Sequence, residues 1–166
     1  EYLISNMKRL GVSHANIAIH INEAEDFMPN GKDEIQLMFA ANLNQSLRPI
    51  SDVASGGEIS RLMLCIKSLI AHTKDLPTII FDEIDTGVSG EIATQMGTIM
   101  QQMAQKRQII AITHLAQIAA KGDAQYLVYK QDTQTRTTTN IRHLNTEERI
   151  QQIASMVAGN SPTHAA

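Results

Sequence analysis

The sequence predicts an α/β fold with a largely parallel sheet that is flanked by helices and extended by β-hairpins. Two short apolar runs, 78–81 and 108–112, are separated by a helical pattern, and this order is typical of parallel strands joined by helical crossovers. Alternating apolar residues at 17–21 and 35–39 predict an added antiparallel hairpin. With 166 residues, 43% of them hydrophobic, the chain is long enough to bury a substantial core.

The composition excludes several classes of protein. The chain has 14 Lys and Arg against 17 Asp and Glu, a net charge of −3, whereas a domain that holds DNA by bulk electrostatics usually has a basic excess. The single cysteine, Cys65, cannot form an internal disulfide and fits a reducing cytosol. No apolar run approaches the roughly 20 residues that cross a bilayer, and no signal-peptide pattern is found. Because the first residue is Glu1 rather than Met, we expect a piece of a longer protein.

The first half of the chain predicts a helix, a hairpin and a second helix. Apolar residues at helical spacing predict a short helix over 2–10 that stops at Gly11. Turn-forming residues at 28–31 lie between the hairpin strands, so we expect a long loop there. A longer helix should begin near Ser55 and end before Pro77. The predicted apolar face of this helix consists of Ile59, Leu62, Met63, Ile66 and Ile70.

The middle of the chain predicts two buried strands with a helix between them. The runs 78–81 and 108–112 are apolar on both faces, as buried parallel strands are. The apolar face of the intervening helix consists of Ile92, Met96, Ile99 and Met103. Three methionines of this helix are expected to fill the core, namely Met96, Met100 and Met103.

The last third predicts a short helix, a second hairpin and a terminal helix. The short helix lies near 115–120, and the hairpin strands at 126–129 and 141–144 flank a polar segment, 131–139. Asn145 and Glu148 have the spacing of a capping box and predict the start of the terminal helix. The predicted apolar face of that helix consists of Ile150, Ile153, Ala154 and Val157.

Three stretches carry the residue types of a phosphate site, and the first is 55–58. Ser55 and Glu58 have capping-box spacing, so Ser55 should be the N-cap of the following helix. The helix start presents free N–H groups and the positive end of the helix dipole, and Gly56 and Gly57 let another backbone approach closely. Two interpretations stay open here: a well-capped helix with a flexible entry, or an anion site suited to phosphate.

The second stretch is an apolar strand that ends in two adjacent carboxylates, Asp82 and Glu83. The carboxyl ends of parallel strands face the ligand crevice. Asp82 is therefore a candidate to hold Mg²⁺, directly or through water, and Glu83 a candidate general base for an attacking water. The following loop, 85–90, can follow a ligand or a partner surface. A plainer interpretation is an acidic loop that caps the next helix.

The third stretch places His114 at the end of the next predicted strand. A histidine there can donate a hydrogen bond to a phosphate oxygen, although a lone histidine after a strand is usually a surface residue. Because all three stretches lie at the ends of consecutive elements, we expect them to meet at one edge of the sheet. The other histidines lack metal-ligand spacing with Cys65, so no zinc site is predicted.

In chain order, the three stretches resemble the motifs of ABC-type ATPases. Residues 55–61 resemble the signature motif, 79–83 the Walker B strand, and 112–114 the switch-histidine segment. The sequence contains no P-loop, Gly-x-x-x-x-Gly-Lys-Ser/Thr, because its one Gly-Lys pair, at 31–32, is followed by Asp33 and belongs to a turn. The chain is therefore similar to the C-terminal lobe of an ABC-type head, without the lobe that carries the P-loop.

The residues around these motifs narrow the resemblance. Segments 53–61 and 81–90 are similar to bacterial RecN DNA repair proteins, and the likeness runs from about Gly11 to the end. One departure is Ala116, where RecN proteins usually have proline. The resemblance implies that 1–10 is the end of a coiled-coil return helix and that 11–166 is the C-terminal lobe of the ATPase head. It also implies a cytoplasmic, nucleoid-associated bacterial protein that acts in double-strand-break repair and recombination.

The resemblance further implies ATP and Mg²⁺ as cofactors. It assigns Asp82 to Mg²⁺, Glu83 to activation of the attacking water, and His114 to contact with the γ-phosphate. The signature motif closes over ATP held by a second head, and the loop 85–90 lies across that dimer interface. The implied nucleotide-binding residues are Ser55, Gly56, Gly57, Glu58, Asp85 and Ser89.

The implied partners are the N-terminal P-loop lobe of the same protein, a second head in a homodimer, and DNA through the full-length protein, with no membrane. The chain by itself is expected to lack ATPase activity, because the P-loop is the main phosphate-binding element. Three alternatives remain open. They are an SMC-type chromosome-structuring head, a non-enzymatic dimerisation module, and a metal-dependent phosphohydrolase built on Asp82, Glu83 and Asp85.

Overall fold

A computed structural model describes residues 1–52, 55–132 and 136–158. The predicted helices and strands occur in the predicted order, and the structure adds a two-residue strand and a 3₁₀ turn that the sequence did not predict. The elements are α1 (Tyr2–Arg9), β1 (Asn16–Met28), β2 (Gly31–Ala40), β3 (Arg48–Pro49), a 3₁₀ turn (Ile50–Asp52), α2 (Gly56–Thr73), β4 (Thr78–Asp82), α3 (Gly90–Ala104), β5 (Gln108–Ile112), α4 (Ala116–Ala119), β6 (Tyr126–Asp132), β7 (Thr137–His143) and α5 (Thr146–Ala158).

The described strands form three small sheets. β4 and β5 pair in parallel, with Thr78 opposite Gln108 and Asp82 opposite Ile112, and α3 is the crossover between them. β1, β2 and β3 form an antiparallel sheet, and β6 and β7 form an antiparallel hairpin. A parallel pair with helices and added hairpins is the predicted α/β class. In the parallel pair, the carboxyl ends of β4 and β5 lie side by side.

The first hairpin is tighter than the sequence predicts. Met28 at the end of β1 pairs with Gly31 at the start of β2, so only Pro29 and Asn30 form the turn. Gly31 has φ of +113°, which a glycine adopts without a Cβ clash. The predicted long loop is therefore wrong, because β1 continues through an irregular register after Glu23 instead of ending with the alternating isoleucines.

The second hairpin and the terminal helix begin as predicted. Asn145 N–H donates to Glu148 Oε2 at 2.9 Å, and Glu148 N–H donates to Asn145 Oδ1 at 3.0 Å. This reciprocal pair confirms the capping box at the start of α5. The strands of the hairpin extend further into the polar segment than predicted, to Asp132 and from Thr137, and 133–135 lie outside the described residues.

One hydrophobic core joins α1, α2 and α3 to one face of β4. Met7, Leu62, Phe81 and Met96 are among its fully buried side chains. The three methionines predicted as core filling are buried, which confirms that interpretation of α3. The Tyr2 hydroxyl lies 2.7 Å from Ser68 Oγ and ties α1 to α2. No helix in the described part of the chain is long and apolar enough to cross a membrane.

The parallel pair is covered on one face and open on the other. β4 buries only alternate residues, Ile79 and Phe81, so the prediction of two fully buried strands is wrong. The exposed fractions on the open face are 54% for Ile80, 42% for Ile110 and 51% for Ile112. The physical reason is that the described helices pack on one side of a two-stranded sheet, and nothing described packs on the other.

Two predicted helix faces are also exposed in part. In α2 the buried face includes Leu62, Cys65 and Ser68. Two residues of the predicted apolar face, Met63 and Ile70, are exposed instead. α5 has no buried residue, and its predicted apolar face is open at Ile150 and Val157, which are 67% and 72% exposed. Residue spacing correctly predicted the amphipathic helices, but it did not predict which of their apolar side chains are buried by packing within this chain.

Candidate functional site

The first motif stretch lies at the start of α2. Ser55 is the N-cap, with an extended backbone at φ −96° and ψ 111°, and its carbonyl accepts from the Ile59 N–H at 3.1 Å. The Ser55 hydroxyl makes no capping hydrogen bond, so the predicted Ser55–Glu58 capping box is wrong in its side-chain contacts although the cap position is correct. Ser55 and Gly56 are exposed. The first turn of α2 therefore presents N–H groups and a hydroxyl that can bind an anion.

The same stretch contacts the loop 85–90 through two glycines. A Cβ placed on Gly57 lies 3.1 Å from the carbonyl oxygen of Gly87, so the two backbones touch. Gly87 itself has φ of +72°, in the left-handed region that glycine adopts without strain. A Cβ on Gly56 meets nothing within 4 Å. Glycine is therefore favoured at 57 by the close approach and at 87 by its backbone conformation, whereas 56 has space for a side chain.

The two carboxylates after β4 have different backbone conformations. Asp82 is the last residue of the extended strand, whereas Glu83 has φ of +46°, a conformation that costs free energy for any residue with a Cβ. Main-chain contacts hold Glu83 there: its N–H donates to the Ile112 carbonyl at 3.2 Å, and its carbonyl accepts from Thr86 Oγ1 at 2.9 Å. Both carboxylates are exposed, and strained backbone of this kind clusters at functional sites.

A small cleft lies between α2 and these carboxylates. Its volume is about 240 Å³, and it is lined by Ile59, Ser60, Met63, Lys67, Asp82, Glu83 and Ile84. Lys67 Nζ donates to the Ile80 carbonyl at 3.1 Å and lies 5.1 Å from the centroid of the Phe81 ring. The cleft is smaller than the roughly 300–1,000 Å³ of ordinary ligand pockets. The described residues therefore do not enclose a nucleotide by themselves.

Asp85 is the buried charged residue of the described part of the chain, with a side chain that is 0% exposed. Its Oδ2 accepts a hydrogen bond from the Thr113 hydroxyl and one from the His114 N–H at 3.3 Å, and lies 3.5 Å from His114 Nδ1. Asp85 is among the predicted nucleotide-binding residues, and the structure places its carboxylate inside the protein, in contact with Thr113 and His114.

His114 and Ser89 lie at the surface of the same edge. The His114 side chain is 67% exposed, and Ser89 is the exposed N-cap of α3 with no capping hydrogen bond from its hydroxyl. Both can therefore reach a ligand or a partner.

The predicted site residues thus lie together. Gly57 joins the signature-like stretch to the loop 85–90, and Asp85 joins that loop to His114. The sequence did not identify two residues that lie at the site, Thr113 and Lys67. Thr113 had a weak signal, because it directly precedes His114, whereas Lys67 had none, because its contact with the Ile80 carbonyl depends on tertiary packing.

Cys65 is a free thiol buried in the hydrophobic core. Burial raises the pKa of its thiol to about 12, with the positive charge of Arg9 acting in the opposite direction. A thiol that stays protonated is neither a nucleophile nor a metal ligand. Within the described ranges, no group of three or more His, Cys, Asp or Glu side chains could hold a metal ion. The phosphohydrolase alternative therefore lacks a ligand set among the described residues.

Sequence comparison finds bacterial DNA repair proteins among the relatives of the chain. The DNA repair protein RecN of Deinococcus radiodurans is 37% identical to it over 161 residues, which cover 97% of this chain and 28% of that protein. The chain therefore spans less than a third of the length of the curated relatives it matches. No protein-family model matches the chain.

Structural comparison gives the fold. The SMC head domain of Pyrococcus yayanosii, solved with a coiled coil and joint, matches with a TM-score of 0.68 at 17% identity, over 96% of this chain and 29% of that one. A chain from SMC ATPases studied for ATP-driven dimerization matches with a TM-score of 0.57 at 15% identity, over 94% of this chain and 91% of that one. The chain is therefore similar over nearly its whole length to part of the RecN DNA repair protein of Deinococcus radiodurans, and it has the fold seen in SMC head domains.

Proposed function

We propose that this chain is the catalytic C-terminal lobe of a RecN-type ATPase that acts in DNA double-strand-break repair and recombination. It supplies the signature motif, the Walker B carboxylates and the switch histidine for ATP-dependent dimerisation of two heads and for hydrolysis. The observation that carries this proposal is the chain of contacts Gly57–Gly87 and Asp85–His114, because it brings the three motif stretches together beside the carboxyl ends of β4 and β5.

The residues present fit a magnesium nucleotide. Asp82 offers exposed carboxylate oxygens at the end of a parallel strand, and Mg²⁺ prefers oxygen ligands of this kind. The uncapped start of α2 offers the Ser55 hydroxyl and main-chain N–H groups to a phosphate. The bound magnesium nucleotide supplies the phosphoanhydride bond that is hydrolysed.

Each side chain then has one task. Glu83 accepts a proton from the attacking water, because it is the exposed carboxylate next to the Mg²⁺ ligand Asp82. His114 donates a hydrogen bond to the γ-phosphate. The N-terminus of α2 and the Ser55 hydroxyl bind the γ-phosphate of a nucleotide held by the second head. Ser89 and the loop 85–90 lie at the interface between the heads.

The rest of the protein supplies the missing parts of the site. Parallel sheets are normally covered on both faces, whereas the face of Ile80, Ile110 and Ile112 is open here. We assign this face to the N-terminal lobe with the P-loop, since this chain spans only 28% of the RecN protein of Deinococcus radiodurans and leaves room for a further lobe. With a net charge of −3, the chain lacks the basic excess of a domain that holds DNA by bulk electrostatics, and we assign DNA binding to the full-length protein at the nucleoid.

The experiment is Glu83→Gln in the full-length protein, compared with the wild type and with the exposed strand variant Glu25→Gln. We expect ATP binding, measured with a fluorescent nucleotide, to be unchanged, and kcat for hydrolysis to fall by about 10²–10⁴-fold, the usual contribution of a general base. The Glu25→Gln variant should hydrolyse ATP normally. If Glu83→Gln hydrolyses ATP at the wild-type rate, the general-base role is wrong.

The oligomeric state of the same variant separates an enzyme from a dimerisation module. For an ATP-dependent dimer that is opened by hydrolysis, Glu83→Gln should accumulate as a dimer with ATP and remain monomeric without it in size-exclusion chromatography. A non-enzymatic module would dimerise equally with and without ATP, and that result would favour the alternative.

A further inference from the structure

Asp85 is a buried carboxylate whose hydrogen bonds converge on the switch-histidine segment. Burying a charge costs free energy unless good contacts offset the cost, and the side chain is 0% exposed. Among the described residues, its Oδ1 atom has no hydrogen-bond partner, so the carboxylate is not held by a fully satisfied structural network. A position that keeps an incompletely satisfied buried charge indicates a task other than stability.

The contacts of Oδ2 define that task. They fix the main chain at His114, through its N–H at 3.3 Å, and one edge of the ring, through Nδ1 at 3.5 Å. Thr113 completes the arrangement, because its hydroxyl donates to Oδ2 and accepts from the Leu115 N–H at 3.0 Å. With Nδ1 facing Asp85, the opposite edge of the ring, at Nε2, remains for a ligand.

We propose that Asp85 is a positioning residue that acts through His114. It holds the Nδ1 edge and the main chain so that the imidazole presents Nε2 to the terminal phosphate. Because Gly87 of the same loop contacts Gly57, the orientation of His114 also depends on where the signature helix begins. This inference rests on the proposed function, which assigns His114 to the phosphate.

The kinetic test uses Asp85→Asn, which keeps the size of the side chain and removes the charge, in the full-length protein. A misdirected catalytic group can lower a rate by about 10²-fold, so we expect kcat for ATP hydrolysis to fall by about 10–100-fold while KM stays within about twofold. Asp75→Asn, at an exposed position in the connection between α2 and β4 and outside the motif stretches, is the matched control and should leave both parameters unchanged. A fall in kcat no larger than that of the control overturns the inference.

A double-mutant cycle with His114→Ala separates positioning from general damage. If Asp85 acts through His114, the Asp85→Asn/His114→Ala protein loses no more kcat than His114→Ala does by itself. If the two losses multiply, Asp85 acts independently of His114 and the inference is wrong. If His114→Ala leaves kcat unchanged, the role of His114 under the proposed function is overturned, and the inference that depends on it falls as well.

A second readout needs neither nucleotide nor activity. Hydrogen exchange of the His114 and Leu115 amides reports the contacts with Asp85 and Thr113 directly. We expect Thr113→Val to speed exchange of both amides by about tenfold, as the loss of one or two hydrogen bonds implies, and Thr113→Ser, which keeps the hydroxyl, to restore slow exchange. Asp85→Ala, which removes the acceptor oxygen, should speed exchange of the His114 amide. Unchanged exchange at His114 in Asp85→Ala contradicts the positioning role even if kcat falls in Asp85→Asn.

Discussion

Replacing Gly57 with alanine tests whether the backbone contact between the signature-like stretch and the loop 85–90 is needed. The new Cβ would lie 3.1 Å from the Gly87 carbonyl oxygen, closer than ordinary van der Waals contact, so the loop must move by a few tenths of an ångström. Gly56→Ala is the matched control, because a Cβ there meets nothing within 4 Å. Both positions lie in the first turn of α2.

The expected magnitude follows from the difference between the two variants. Each gains helix propensity from the change to alanine, up to about 1 kcal/mol, and this gain cancels in the comparison. What remains is the cost of overpacking against a backbone, typically about 1–3 kcal/mol. Since 1.4 kcal/mol corresponds to a factor of ten, local opening of the loop should be about 5–150-fold more frequent in Gly57→Ala than in Gly56→Ala.

The assay is hydrogen exchange of the amides in the loop, read by mass spectrometry in the full-length protein. The informative amides are those of Thr86 and Val88, which donate to the Glu83 carbonyl at 3.3 Å and the Asp85 carbonyl at 3.2 Å. Both should exchange faster in Gly57→Ala. Equal exchange rates in the two variants would show that the loop accommodates the extra methyl group without cost, and would refute the reasoning.

Three further changes have expected outcomes. Glu83→Gly should unfold at a higher temperature than Glu83→Ala in calorimetry of the head, because glycine adopts φ of +46° without a Cβ penalty. The difference in the free energy of unfolding should be about 0.5–1 kcal/mol. The opposite order would mean that the turn is not strained. Cys65 should resist iodoacetamide at pH 8 until the protein unfolds, because burial raises its pKa to about 12; rapid labelling of folded protein would exclude this burial. Hydrogen bonds from the Asn145 N–H and the Arg142 side chain lower the pKa of Glu148 in the folded protein. The ionised Glu148 carboxylate therefore stabilises the fold fully above about pH 4.3, the pKa of an unfolded glutamate, and this stabilisation is lost as the pH falls through the lower pKa of the folded state. Glu148→Gln should remove that part of the acid dependence of unfolding, and an unchanged pH profile would contradict it.

The helix and strand order was predictable because it depends on local spacing. The period of Met96, Ile99 and Met103 predicts α3, and the Asn145–Glu148 spacing predicts the start of α5, since both depend on residues within one or two turns. The same spacing failed at Ser55 and Glu58, where the side-chain contacts of a capping box do not form. The spacing of a capping box determines which side chains can form the capping hydrogen bonds, whereas the surrounding packing determines whether those hydrogen bonds form.

The sequence predicted that the three motif stretches lie close together, but not the contacts between them. Asp82, Glu83 and His114 stand at the ends of apolar strands, and the parallel pairing of β4 with β5 brings those ends together. The burial of Asp85 was not predictable, because nothing in a local pattern distinguishes an exposed acid of a loop from one that folds back on a neighbouring strand. Its contacts with Thr113 and His114 join residues 28 and 29 positions apart.

By itself, the sequence determined the α/β class, the order of elements, the three motif stretches and the family resemblance. Each of these depends on residue type and short-range spacing, which the backbone geometry of helices and strands converts directly into structure. Only the tertiary structure decided that Asp85 is buried against His114, that Gly57 touches Gly87, and that one face of the β4–β5 pair is open. These features depend on which distant surfaces meet, and that outcome is set by packing of the whole chain.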